Sequence, residues 1–529
     1  MTNATEDRYR TLLDASSAIV EQARMSSVVS MGMNAGWRGL RRLLAPICAA
    51  LLLLALGVPH THAQCQGKLD SLEIAATCTA RNNAPISKAD IDPKKAYSLE
   101  ELIAIAESNN PRTRIAWEAA KQAAERLGIA RSDYYPHLAI LALGGDQRVI
   151  EPWPKPLGAP SGYFLIELPA TEAGVELKYN VYDFGRRGAR VEASKALRLA
   201  AAAAFQRTNQ DVAFRVVTDY FNLITAQERL EASRQIVKTA QTTQDAAEAQ
   251  LANGRSTLPD VLNAKAATAQ AHYDLEASIG AADTARVVLR ESLGVEPSDA
   301  IVVEQPTGLP LPTQVVESTA NLVEAAMQQR PDLRAVSEKL RAANAGFKAA
   351  KSEYLPAIHL GASAAQQALW PSINVHGPNP LGNANQTVWS AAVTIQWTLF
   401  DGGLRRNEVL LADSKRREVQ DEQREKADAI GREVWLAYVQ FRTAVRQHEA
   451  AETLLKSANT SYDASLDAYR YGVKNLVDLV TAENQLAQAR LAIVQSRSAV
   501  RINAANLDYA TGTLLRQQPP VAQPVINNP

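Results

Sequence analysis

The 529-residue chain is poor in the residues from which active sites are usually built: it has three cysteines, five methionines and seven histidines. Its 56 basic side chains are matched by 56 acidic ones, and with no basic run this balance excludes a general nucleic-acid partner. No nucleophile elbow or phosphate-binding loop occurs. The five histidines beyond residue 63 lack metal-ligand spacing, so no catalytic residue, metal ligand or cofactor is expected. Beyond residue 63 no apolar run reaches the ~18 residues of a membrane-spanning helix.

The N-terminus is different. Arg38, Arg41 and Arg42 precede an apolar run over 43–58, and Thr61-His62-Ala63 resembles a small-residue cleavage site. Residues 1–63 therefore read as a secretory signal peptide, with translation starting at Met1, Met31 or Met33. Cys48 leaves with that segment. Cys65 and Cys78 lie in a short irregular leader, 64–95, where exported cysteines can pair in a disulfide. The alternative is that Cys65 is a lipidated N-terminus, for which Gln64 is a poor preceding residue.

What the chain does have is a repeat. Setting 258–271 against 476–489 aligns Leu258 with Leu476, Asp260 with Asp478, Ala264 with Ala482 and Gln270 with Gln488, all at an offset of 218. The same offset pairs Asp183 with Asp401, Tyr220 with Tyr438, Gly254 with Gly472 and Gly294 with Gly512. A duplication accounts for this, dividing the chain into a first repeat over 96–300, a linker over 301–316, a second repeat over 317–515 and a disordered tail over 516–529.

Each repeat writes the same sentence. Ser98, with Glu101 three residues on, opens a helix through a capping box. Asn110-Pro111 breaks that helix, and a second runs to Tyr134-Tyr135-Pro136. The later copy uses Arg330-Pro331 and Tyr354-Leu355-Pro356. After each of these prolines the period changes from helical to alternating, which predicts strands near 137–144, 173–182, 357–366 and 390–400. Five prolines in 147–170, and the prolines, asparagines and glycines of 366–387, predict exposed connectors. Then come helices of unusual length. No proline or glycine interrupts 189–252, and a helix over such a stretch is on the order of 100 Å long. Val434, Tyr438, Phe441 and Val445, echoed by Val216, Tyr220 and Leu223, mark a narrow coiled-coil seam on helices that are otherwise small or polar.

Amphipathic strands on an exported chain point to an outer-membrane barrel, since a sheet in lipid must close on itself. Four strands cannot close one, whereas three copies would supply twelve. Tyr134, Tyr135, Tyr182, Phe184, Trp397 and Phe400 fall near one end of the predicted strands, and Trp153, Tyr163, Trp370 and Trp389 toward the other, as two aromatic belts would. The competing reading is a water-soluble sandwich.

The ordered, duplicated motifs resemble the TolC-like outer-membrane efflux protein family over roughly 96–515. They are Asn-Pro and Arg-Pro, Tyr-Pro and Leu-Pro, Tyr182-Asp-Phe-Gly and Phe400-Asp-Gly-Gly, and the hinges beginning at Gly254 and Gly472. The resemblance implies a mainly α fold with a membrane β-barrel: a homotrimer with a 12-stranded barrel in outer-membrane lipid, continued by a periplasmic α-helical tunnel. It further implies docking to a periplasmic adaptor and an inner-membrane transporter. Carried over, Asp478 is an aperture acid, and Tyr469 and Lys474 latch to Asp260 of the other hinge. Gly254, Arg255 and Ser256, with Gly472, Lys474 and Asn475, form the tips met by the adaptor. From the residues alone, Asp260 and Asp478 can equally cap the helices that start beside them. The function expected is the exit duct of a tripartite efflux or secretion system exporting small molecules. The rivals are the outlet of a type I protein-secretion system and, from another class, a soluble periplasmic coiled-coil adaptor.

Overall fold

The computed structural model describes residues 92, 95–152, 162–296, 301–305, 310–314, 318–374, 378–380 and 382–515. The signal peptide, Cys65, Cys78, Trp153 and the tail lie outside these residues. Every described element lies within the unit Arg81–Pro529.

The duplication is visible in element lengths. Helices α1 (Leu99–Asn109) and α2 (Pro111–Ser132) have 11 and 22 residues, and so do α5 (Thr319–Gln329) and α6 (Pro331–Ser352). The long helices α3 (Arg186–Ala252) and α7 (Leu404–Arg470) have 67 residues each, and their partners α4 (Leu258–Leu293) and α8 (Leu476–Thr511) have 36. At ~1.5 Å per residue, α3 and α7 are rods of about 100 Å. The predicted capping box of α1 is present: Glu101 N–H donates to Ser98 Oγ, and Ser98 N–H donates to the Glu101 carboxylate.

Because these helices are rich in alanine and polar residues, their buried stripes are narrow and the core is split into clusters along the rods. Val216, Tyr220 and Leu223 pack with Leu102, Ala106, Leu289 and Leu293 around a two-residue parallel bridge between β1 (Ala96–Tyr97) and β6 (Val302–Val303). Val434 and Ile430 play the same part in the second repeat with Leu322, Ala326 and Leu507. Each elbow before a proline is tied to the far end of its own repeat. Asn110 Nδ2 donates to the Ser292 carbonyl at 2.8 Å, and Arg330 Nη1 donates to the Ala510 carbonyl at 3.2 Å.

Four long strands form one antiparallel sheet in the order β10-β7-β5-β2: β2 (His137–Gly145), β5 (Ala170–Tyr182), β7 (Ala357–Leu369) and β10 (Ala384–Gln396). The repeats meet at β5 and β7, where Val175 faces Ala364 and Leu177 faces Ala362. The outermost strands, β2 and β10, are exposed along their whole length in a single protomer.

Three expectations are corrected. The last strand ends at Gln396 rather than near 400, so Trp397 and Phe400 lie beyond it, where Trp397 Nε1 donates to the Tyr354 carbonyl. The connectors are not all loop: β3 (Arg148–Pro152), β4 (Tyr163–Glu167), β8 (Ser372–Asn374) and β9 (Pro378–Pro380) pair into a second sheet. Trp389 stands at no strand end, since it lies in the middle of β10 in register with Ala364 of β7. In each case alternation or turn composition was present, but neither fixes where pairing stops.

Candidate gate at the helical hinges

The 67-residue helices α3 and α7 carry the chain away from the sheet and turn back at two hinges, 252–258 and 470–476. Both hinges are built alike. At Gly254 (φ 71) and Gly472 (φ 72) the backbone enters the left-handed region that glycine occupies without Cβ strain. The next amides then close the same motif: Arg255 N–H donates to the Gln250 carbonyl and Val473 N–H to the Ala468 carbonyl, each at 2.8 Å.

The returning helices start on different caps. Asn475 caps α8 by accepting from Asp478 N–H at 2.9 Å, which leaves the Asp478 carboxylate exposed in the first turn. Asp260 is folded into its own hinge. Its carboxylate accepts from Thr257 Oγ1 at 2.7 Å, Thr257 N–H at 3.1 Å and Ser256 Oγ at 3.2 Å. The Thr257 hydroxyl first, then its amide, hold the Asp260 carboxyl below the usual aspartate range. Neither acid is itself the N-cap.

The expected latch is not formed within one protomer. Lys474 Nζ reaches Ser465 Oγ at 3.4 Å, and Asp260 is engaged by Ser256 and Thr257. Tyr469 is 5% exposed within an apolar cluster with Leu476, Leu479 and Val261, and its hydroxyl finds no hydrogen-bond partner among the described residues. The polar contact that joins the hinges comes from a residue without a motif. Gln250, 9% exposed, donates through Nε2 to the Arg470 carbonyl at 2.7 Å and the Tyr469 carbonyl at 3.3 Å. Farther up the rods Arg490 Nη1 on α8 reaches Thr239 Oγ1 (2.9 Å) and the Gln235 carbonyl (3.3 Å) on α3. A glutamine in a long polar helix gives no signal of its own, and only the offset between repeats, which places Gln250 against Ala468, could have drawn attention to it.

At the tips Gly254, Arg255 and Asn475 are exposed as expected, with Ser256 half-buried. Beside them stand apolar side chains absent from the sequence-based site: Tyr471, Val473 and Val477 are 82%, 79% and 69% exposed, and Leu258 and Leu262 project from α4. Exposed apolar side chains gathered at one place mark a contact surface rather than a core. Among the described residues there is no cluster of His, Cys, Asp or Glu that could hold a metal, and no helix long and apolar enough to cross a membrane. The hinge end consists of two helical pairs joined by a buried polar contact, with exposed apolar side chains at the tips.

The chain is similar to Protein CyaE of Bordetella pertussis, 28% identical over 79% of this chain and 85% of that protein. It is also similar to the cation efflux system protein CusC of Escherichia coli O157:H7, 22% identical over 89% of this chain and 98% of the relative. Among solved structures, its fold matches the outer membrane protein VceC of Vibrio cholerae with a TM-score of 0.66 at 20% identity, covering 78% of this chain and 96% of VceC. The model of the outer membrane efflux protein family matches residues 102–295 and 322–513, one block in each repeat and together well over half of the chain, so this protein belongs to the outer membrane efflux protein family.

Proposed function

We propose that three copies of this chain close one 12-stranded barrel in the outer membrane and form a passive exit duct, opened at its hinges by partner proteins. The observation that carries this reading is the state of β2 and β10. A four-stranded sheet whose two outermost strands pair on one side only has unpaired backbone along both edges, which is untenable in lipid unless another copy pairs with each edge. Four strands per chain and the smallest practical barrel of about eight strands leave oligomers, of which three copies match the family.

In that assembly the hinges of all copies converge around one axis. Asp478, exposed in the first turn of α8, then repeats as a ring of carboxylates that favours cations over anions at the narrow end. The tips around Gly254, Arg255, Ser256, Gly472, Lys474 and Asn475 receive a periplasmic adaptor, and the exposed Tyr471 and Val473 supply the apolar part of that contact. An inner-membrane transporter selects and drives the cargo. The kinship with CusC, named for a cation efflux system, supports small-molecule export as the first reading, with the outlet of a type I protein-secretion system as the second. The test is reconstitution of the purified mature protein in planar bilayers. Discrete, cation-favouring current steps are expected; a protein that leaves the bilayer silent under every condition, or that is recovered with soluble proteins, contradicts the proposal.

A further inference from the structure

Two turns into α8, Glu483 is buried to 6% exposure on the face that meets α3. Its surroundings are three helices. From α3 it meets Thr243, which is 1% exposed and bonded to the Thr239 carbonyl. From α7 it faces Tyr462, whose hydroxyl lies 3.5 Å from Thr243 Oγ1 and 3.4 Å from the Thr239 carbonyl. Its Oε2 has no hydrogen-bond partner among the described residues. Three nearby cations are engaged elsewhere. Arg490 on α8 bonds Gln235 and Thr239 of α3, Arg470 on α7 lies beside Asp467, and Lys265 on α4 pairs with Glu248 at 3.2 Å. Asp463 on α7 lies within electrostatic reach of Arg490, and Arg229 of α3 and Asp274 of α4 line, with Glu483, a cleft of about 640 Å³.

We propose that Glu483 is a proton-operated latch between the two helical pairs: as a neutral acid it lets α8 pack on α3, and as a carboxylate it drives α8 off α3 to reach water in the adjoining cleft. An ionised carboxylate with one hydroxyl for company is costly to keep in such a place, while the neutral acid is tolerated. Burial accordingly raises the affinity of Glu483 for its proton above that of an ordinary glutamate, with Thr243 opposing weakly. A group whose proton affinity is higher in the packed state stabilises packing at low pH, and that contribution is lost as pH rises through the packed-state value. Acid therefore holds the hinge end shut, and alkali loosens it. The latch rests on the duct reading only for its consequence, since packing of α8 on α3 can be followed without any current.

The test is hydrogen exchange along 476–490 of the full-length protein in detergent, between about pH 5 and 8, corrected for the intrinsic pH dependence of exchange. In the unmodified protein the corrected exchange should speed up with pH, by about tenfold for each pH unit between the packed and released proton affinities. Glu483→Gln should keep the slow, acid-type exchange throughout. A flat corrected profile in the unmodified protein overturns the latch whether or not the variant assembles, and so does a variant that tracks the unmodified profile. Bilayer currents recorded in parallel separate the two proposals: silence there sinks the duct, while exchange still decides the latch.

Discussion

Replacing Gln250 by leucine isolates the clamp between the hinges. The amide reaches across from α3 to α7 with bonds of 2.7 and 3.3 Å, and it is nine-tenths buried. The Tyr469 carbonyl keeps its bond from Gly472 N–H at 3.0 Å, so the substitution strands chiefly the Arg470 carbonyl. Stranding one partly buried acceptor costs about 1–3 kcal/mol, with about 1 kcal/mol recovered because the Gln250 Oε1, which lacks a partner, is removed as well. The net, about 0–2 kcal/mol per copy and centred on about 1 kcal/mol, shifts the balance between joined and parted hinges by about fivefold. In planar bilayers Gln250→Leu should therefore raise the fraction of time spent in the larger conductance state by about that factor. Gln250→Glu, which keeps the shape but loses the donor, should do at least as much. A variant that melts at lower temperature yet gates like the unmodified protein would refute the reasoning, because the clamp would then stabilise the fold without holding the gate.

Asp478→Ala should raise single-channel conductance or weaken block by divalent cations, while leaving stability unchanged because Asn475 still caps α8; unaltered current and block would remove Asp478 from the mouth. Arg330, 1% exposed, bonds Asp332 at 2.7 Å, Glu433 at 2.6 Å and the Ala510 carbonyl, so Arg330→Met should cost about 3 kcal/mol in thermal or denaturant unfolding, against about 1 kcal/mol for Asn110→Ala at the matching elbow. Burial works to raise the proton affinity of Asp332, but the bonds from Arg330 and Lys426 overcome it and hold the carboxyl well below the usual range. That contribution is present above the ordinary aspartate value and is lost on acidification, so stability should fall as pH drops below about 4, and much less steeply in Arg330→Met.

The repeat and the long rods were legible because they are written in spacing. An offset of 218 survives in the positive-φ glycines Gly254 and Gly472, and the helices of 67 residues show through because no proline and only one glycine each, Gly188 and Gly431, interrupts them. Strand ends were less so. Alternation continues through Trp397 and Leu399, but pairing stops at Gln396, and register is decided by the partner strand rather than by the pattern. The geometry of the hinges was half legible. Asp478 and the tip glycines stand where the hinge motif put them, whereas Asp260 is consumed by Thr257 and Ser256, because local hydrogen bonds reach a short side chain before distant ones can. Gln250 and Glu483 carry no motif; they matter only because helices far apart in sequence bury them.

The central claim is that the edges of the sheet are sealed by other copies of the same chain. It is tested most directly by the mass of the folded protein released from outer membranes in mild detergent, measured before and after heating. Three chains per particle before heating and one after are predicted; a single folded chain before heating, with β2 and β10 open to solvent, would contradict the account.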